Sequence, residues 1–112
     1  MKVYCDASGK LHSICYVLPD IPKVVVRQKS KKKTHNELEY LAILEVLIDY
    51  PDTDMDIYCD NMIVVNQLTM EYHIKNSRLR NIALLIWDLC NNRKISFNWI
   101  KRDNNMAGKV LG

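Results

Sequence analysis

A chain of 112 residues has room for one domain, and at that length somewhat over ~60% of the unfolded surface is buried on folding, enough for a single core. Its 48% hydrophobic and 26% charged residues exclude a disordered polymer, and no apolar run approaches the ~20 residues that cross a bilayer or forms a signal-peptide segment ahead of the first charges. A net charge of +3 is too small to name a partner by itself, so the information lies in how residues are arranged along the chain.

VYCDAS, residues 3–8, alternates as a strand, with Val3, Cys5 and Ala7 on one face and Tyr4, Asp6 and Ser8 on the other. Ser8, Gly9 and Lys10 make a tight turn. Two further strands are expected in LHSICYVLP and KVVVRQ, parted by the proline of DIP, so the first three strands form an antiparallel meander. RQKSKKKTH then crowds Arg27, Lys29, Lys31, Lys32 and Lys33 next to His35; such a run is most often a solvated loop unless a polyanion lies beside it.

From Thr34 the period becomes helical through THNELEYLAILEVLIDYP, with Pro51 past its end. Thr34 and Glu37 have capping-box spacing, and Asn36 with Glu39 is a competing pair. DMDIYC returns to strand, and Asn61 caps a short helix carrying Val64, Val65 and Leu68 on one side. Asn76 or Ser77 opens a second helix, whose Leu79, Ile82, Ala83, Ile86, Leu89 and Cys90 form an apolar stripe. ISFNWIKRD is the expected last strand, and NNMAGKVLG a helix that has barely begun. The order is βββαβααβα, an α/β mixed sheet with helices packed on it.

Cys5, Cys15, Cys59 and Cys90 are widely spaced and form no C-x-x-C pair. Reduced thiols in a cytosolic protein are expected, not a disulfide frame or a zinc site.

The chemistry lies in a repeated pattern, YCD in the first strand and YCD again after DMDI, ending on Asp6 and Asp60. If those strands are parallel neighbours, the two carboxylates lie side by side. At about 4 Å they would repel by ~4 kcal/mol at an effective dielectric of 20, so a counter-charge is needed. Oxygen donors without histidine or cysteine partners favour Mg²⁺ or Mn²⁺ over zinc. A third carboxylate is expected from the first helix, where Glu37, Glu39 and Glu45 compete. Glu37 has its capping job, and Glu39 stands at the end of the stripe Ala42, Ile43 and Val46.

Taken together, the D-x-S strand at Asp6, THNELEYLAIL, CDNMIVVNQL and WIKRDNNMAGKVL resemble the ribonuclease H-like superfamily, in its compact reverse-transcriptase-like branch, over nearly the whole chain. The resemblance implies a five-stranded mixed sheet with the first and fourth strands parallel, within a single domain spanning 1–112 whose last helix is short or truncated. It implies Asp6, Glu39 and Asp60 as catalytic ligands of two Mg²⁺ or Mn²⁺ ions, with Asp103, Asn104 or Asn105 as candidates to supplement them. Ser8, Lys31, Lys32, Lys33, Thr34, His35 and Asn36 become the nucleic-acid contacts, with His35 standing where the family has an asparagine.

The implied activity is endonucleolytic cleavage of RNA in RNA–DNA hybrids by two metal ions. Two rival expectations are a binding module of the same fold without turnover and a nuclease acting on another structured nucleic acid, such as branched DNA. The sequence departs from the family in two places. The glycine-rich stretch after the first strand is cut to SGK, and the residue after Ala107 is Gly108, where the family places its fourth carboxylate.

Overall fold

The computed structural model describes all residues 1–112. Its strands are β1 (Lys2–Ser8), β2 (Ser13–Leu18), β3 (Lys23–Gln28), β4 (Met55–Cys59) and β5 (Ile95–Trp99). Its helices are α1 (His35–Asp49), α2 (Met62–Leu68), α3 (Ser77–Leu89) and α4 (Met106–Leu111), with a 3-10 turn at Arg102–Asn104. The sheet runs β3-β2-β1-β4-β5. β1 pairs antiparallel with β2, and β2 with β3, while β1 and β4 pair in parallel, as do β4 and β5. This is the expected mixed α/β sheet of the ribonuclease H-like type.

Alternation in β1 buries Val3, Cys5 and Ala7 under the helical layer, where they join Ile57 and Cys59 of β4 and the almost wholly apolar α1. Leu38, Val46 and Leu47 of α1 are fully buried there. Truncating any one of them to alanine should cost about 2–5 kcal/mol, the transfer term plus the cavity left behind. α3 lays Leu79, Ala83 and Ile86 against the same core. The opposite sheet face is covered thinly, by α4, through a small cluster of Cys15, Val17 and Ala107 packed with Tyr4 and Leu111. All four cysteines are free.

Local chemistry sets the helix starts. The Thr34 side chain accepts from the Glu37 backbone N–H while Glu37 Oε1 accepts from the Thr34 N–H, a complete capping box. Asn36 is therefore not the cap; it is the second helical residue. α3 is capped by Asn76 and not by Ser77. The last strand is shorter than its alternation implies. β4 ends at Cys59, whose carbonyl accepts from the Ile100 N–H, and no strand lies beyond to pair with residues 101–103, which turn into the 3-10 segment.

Candidate metal and nucleic-acid site

The register of the central parallel pair places the site. Tyr4 lies opposite Tyr58 and Cys5 opposite Cys59, and the two tyrosine rings stack with centroids 5.5 Å apart. One residue further along each strand come Asp6 and Asp60, at the carboxyl ends of adjacent parallel strands, where open α/β sheets place their ligands. Glu39, on the first turns of α1, reaches the same point. One carboxylate oxygen from each of Asp6, Glu39 and Asp60 lies within 4.8 Å of the other two.

Neighbouring contacts fix these groups in place. Trp99 Nε1 donates to the Asp60 carbonyl at 3.1 Å, and Asn61 caps α2 directly after it. Glu39 is 1% exposed, with His35 Nε2 at 3.2 Å from Oε1 and the Cys59 thiol at 3.6 Å from Oε2. Asp60 Oδ2 is buried without a hydrogen-bond partner. No lysine or arginine forms an ion pair with any of the three.

The electrostatics follow from burial with no paired lysine or arginine. Burial, reinforced by the charges of Glu39 and Asp60, pushes the Asp6 carboxyl up to about 7. Burial and Glu39 also raise Asp60, an effect eased by the nearby Asn105 amide and by the charges of Arg102 and His35. One N–H of Asn105 Nδ2 donates to the Cys5 carbonyl, and its Oδ1 accepts from the Ala107 N–H, which holds the amide beside Asp60. His35 is raised chiefly by its contact with Glu39. Cys5 and Cys59 are raised well above the usual thiol range by burial and by Glu39, and so remain protonated neighbours.

A divalent cation fits this donor set: three convergent carboxylates, one buried oxygen with no partner, and no lysine or arginine paired with them, His35 beside Glu39 being the one ionisable base in contact. Glu39 supplies the third carboxylate because its two competitors on α1 are engaged elsewhere. Glu37 closes the capping box, and Glu45 is paired with Arg27 and Lys29. Asp103 is exposed in the 3-10 turn and lies outside the carboxylate cluster, and Asn105, fully buried, ties α4 to β1 through the Cys5 carbonyl. Gly108 stands beside the site: a Cβ there would lie 3.0 Å from Asp6 Oδ2. A cleft of about 170 Å³ opens at that point, lined by Asp6, Ser8, Arg102, Gly108 and Leu111 among others.

The expected nucleic-acid contacts fall into two groups. His35 and Asn36 sit beside the carboxylates, and Asn36 Oδ1 accepts from Asn61 Nδ2 at 3.1 Å, which orients it. Thr34 is committed to its cap, and Ser8 Oγ accepts from the Leu11 N–H to close the β1–β2 turn. Lys31 and Lys32 are exposed with no ionic partner, whereas Lys33 lies 3.8 Å from Glu37 and Lys29 is paired with Glu45.

Three features escape sequence reasoning. Asn61 steadies Asn36 across 25 residues, and no local signal announces that contact. Asn105 could have been recognised as the cap of α4 from its place two residues before Ala107. Arg102 lines the cleft from the 3-10 turn that follows the early end of β5.

No curated protein sequence matches the chain. A family described as reverse transcriptase-like matches residues 21–111. Among solved structures, a ribonuclease H1 isolated from compost is 20% identical, with a TM-score of 0.81 over 98% of this chain and 90% of that one. The ribonuclease H1 of the halophilic archaeon Halobacterium salinarum is 19% identical, with a TM-score of 0.73 over 98% and 92%. The compost enzyme bound to an RNA/DNA hybrid is 17% identical, with a TM-score of 0.78 over 99% of both chains. At such identities the likeness is one of fold.

Proposed function

The chain belongs to the reverse-transcriptase-like family of the ribonuclease H-like superfamily, and from that premise we propose that it is a Mg²⁺- or Mn²⁺-dependent endonuclease cleaving the RNA strand of RNA–DNA hybrids. The observation that carries this reading is the convergence of Asp6, Glu39 and Asp60 within 4.8 Å, without a neutralising lysine or arginine. A related fold has been seen holding an RNA/DNA hybrid, which supports the choice of substrate.

Asp6, Glu39 and Asp60 hold the cations in this reading. Two bound ions would supply a water of lowered pKa and would stabilise charge on the leaving 3′-oxygen. The protein's own residues orient the duplex. Asn36, steadied by Asn61, faces the minor groove, where ribose 2′-hydroxyls distinguish RNA from DNA, and His35 stands beside the carboxylates at Glu39. Lys31 and Lys32 offer unpaired positive charge to the phosphates, and Thr34 and Ser8 present backbone and hydroxyl groups at the rim. The four free thiols suit a reducing compartment such as the cytosol.

A second reading, a hybrid-binding module with little turnover, is favoured by Gly108, which adds no carboxylate beside Asp6. Labelled RNA–DNA hybrid, single-stranded RNA, duplex RNA and branched DNA, each incubated with Mg²⁺ and with Mn²⁺, separate these readings. Metal-dependent cleavage confined to the hybrid supports the nuclease. Binding of the hybrid without cleavage supports the module, and cleavage of branched DNA alone overturns the substrate assignment.

A further inference from the structure

His35 differs chemically from every other group at the cluster, being its sole nitrogen donor on a flexible side chain. Its Nε2 lies 3.2 Å from Glu39 Oε1, and a Cβ at position 9 would lie 3.4 Å from its Nδ1. The ring is thus set between the β1–β2 turn and the carboxylates, with one nitrogen toward each. Two donors that share an ion at ~2.1 Å, with an angle at the metal of roughly 90–110°, stand about 3.0–3.4 Å apart. The observed 3.2 Å, at which Nε2 and Glu39 pair directly, falls within that interval, so an ion could enter between them with little movement. The side chain is 51% exposed while Glu39 is 1% exposed, so the imidazole can turn about its own bonds without repacking the core. The group within 4.8 Å consists of carboxylates alone, so the ring meets it from the Glu39 edge.

We propose that His35 is a nitrogen ligand at the edge of the carboxylate cluster, and that it makes the site select transition-metal divalent cations, Mn²⁺ among them, over Mg²⁺. The proposal rests on the reading of Asp6, Glu39 and Asp60 as metal ligands and adds a donor to it. Imidazole binds transition-metal ions well and Mg²⁺ poorly, because Mg²⁺ strongly prefers hard oxygen and retains its water. At position 108, on the other side of Asp6, glycine supplies no donor. The site is thereby short of one oxygen ligand and offered one nitrogen.

The probe is Mn²⁺ added to the full chain and followed by electron paramagnetic resonance. The free-ion signal gives affinity, competition with Mg²⁺ gives selectivity, and electron spin-echo modulation gives ¹⁴N coupling. His35→Asn keeps the length of the chain and tests the ligand directly; circular dichroism checks that it folds. Bound Mn²⁺ should show imidazole ¹⁴N modulation that His35→Asn abolishes, and the Mn²⁺-over-Mg²⁺ affinity ratio should fall at least ~tenfold, as expected for loss of a ligand or its close support. Bound Mn²⁺ without ¹⁴N modulation, or modulation that persists in His35→Asn, overturns the role of His35 and leaves the carboxylate site standing. Failure of Mn²⁺ to bind at all overturns both.

Discussion

Helix α1 carries two sets of carboxylates that the fold treats in opposite ways. Glu45 and Asp49 face β3, where Arg27 donates to both at 2.7 Å, Lys29 pairs with Glu45 and the Tyr16 hydroxyl donates to Asp49. Burial alone would raise Asp49, but the hydrogen bonds from Tyr16 and Arg27 and the charges of Arg27 and Lys29 bring it below its ordinary value. Less than two turns before Glu45, Glu39 joins Asp6 and Asp60 with no lysine or arginine and only His35 against it, and Asp6 rises to about 7. The same chain neutralises its acids where structure alone is at stake and leaves three of them mutually repelling at the sheet's carboxyl edge. Repulsion kept in one place and removed in another is what the proposed cation site requires.

The largest effect should come from breaking the unneutralised region. Asp6→Asn is expected to lower hybrid cleavage at least ~100-fold, because it removes charge where the proposed function requires metal to be held. It should also raise the metal-free melting temperature, since it removes one of three repelling acids. A metal-free variant that is less stable than the parent would mean that the cluster is structurally compensated after all.

Gly108→Asp should add the family's fourth carboxylate and raise cleavage at limiting Mg²⁺ by about tenfold, roughly 1.4 kcal/mol of transition-state stabilisation. Its Cβ meets Asp6 Oδ2 at 3.0 Å, so the neighbouring carboxylate must give by a few tenths of an ångström. Gly108→Asn separates the charge from the gain in helix propensity, which is worth several tenths of a kcal/mol. Equal rates for the two variants would remove position 108 from the metal site.

Breaking the neutralised region should do the reverse of Asp6→Asn. Arg27→Ala is expected to destabilise by about 1 kcal/mol, the scale of a partly exposed ion-pair network, and to leave Mn²⁺ affinity unchanged. Denaturant melts and a metal titration check both halves, and a change in metal affinity would show the two regions to be coupled.

The smallest effect concerns the basic turn. Lys33 already has Glu37 within 3.8 Å, so replacing Lys31, Lys32 and Lys33 with alanine should flatten the slope of log affinity against log salt by about two phosphate contacts and not by three. An unchanged slope would return the turn to solvent.

Much of this contrast is legible in the sequence, but unevenly. The strands and helices with clean periodicity, the Thr34–Glu37 cap and the repeated YCD all announce themselves locally. The choice among Glu37, Glu39 and Glu45 is harder, because it depends on Arg27 of β3 and Lys29 just past it reaching Glu45 on α1. Likewise, the alternation in ISFNWIKRD cannot reveal that β4 ends at Cys59 and leaves the later residues unpaired. The tethering of α4 by buried Asn105 spans 100 residues and has no local signature beyond a cap.

The most direct test is the thermal stability of the wild-type chain across pH, with and without millimolar Mn²⁺. A carboxyl raised from 3.8 to about 7 in the fold binds more protons there than when unfolded. Stability without metal should therefore fall as pH rises from about 4 to about 7. His35, raised above 6.5, adds a loss in the same direction as pH passes upward through its folded value. A metal that binds the ionised cluster only in the folded state stabilises it by mass action, so Mn²⁺ should raise the melting temperature most at pH 8 and least at pH 5. A metal-free curve that is flat or rising from pH 4 to 7, with no Mn²⁺ effect at pH 8, would contradict the assignment of Asp6, Glu39 and Asp60 as a cation site.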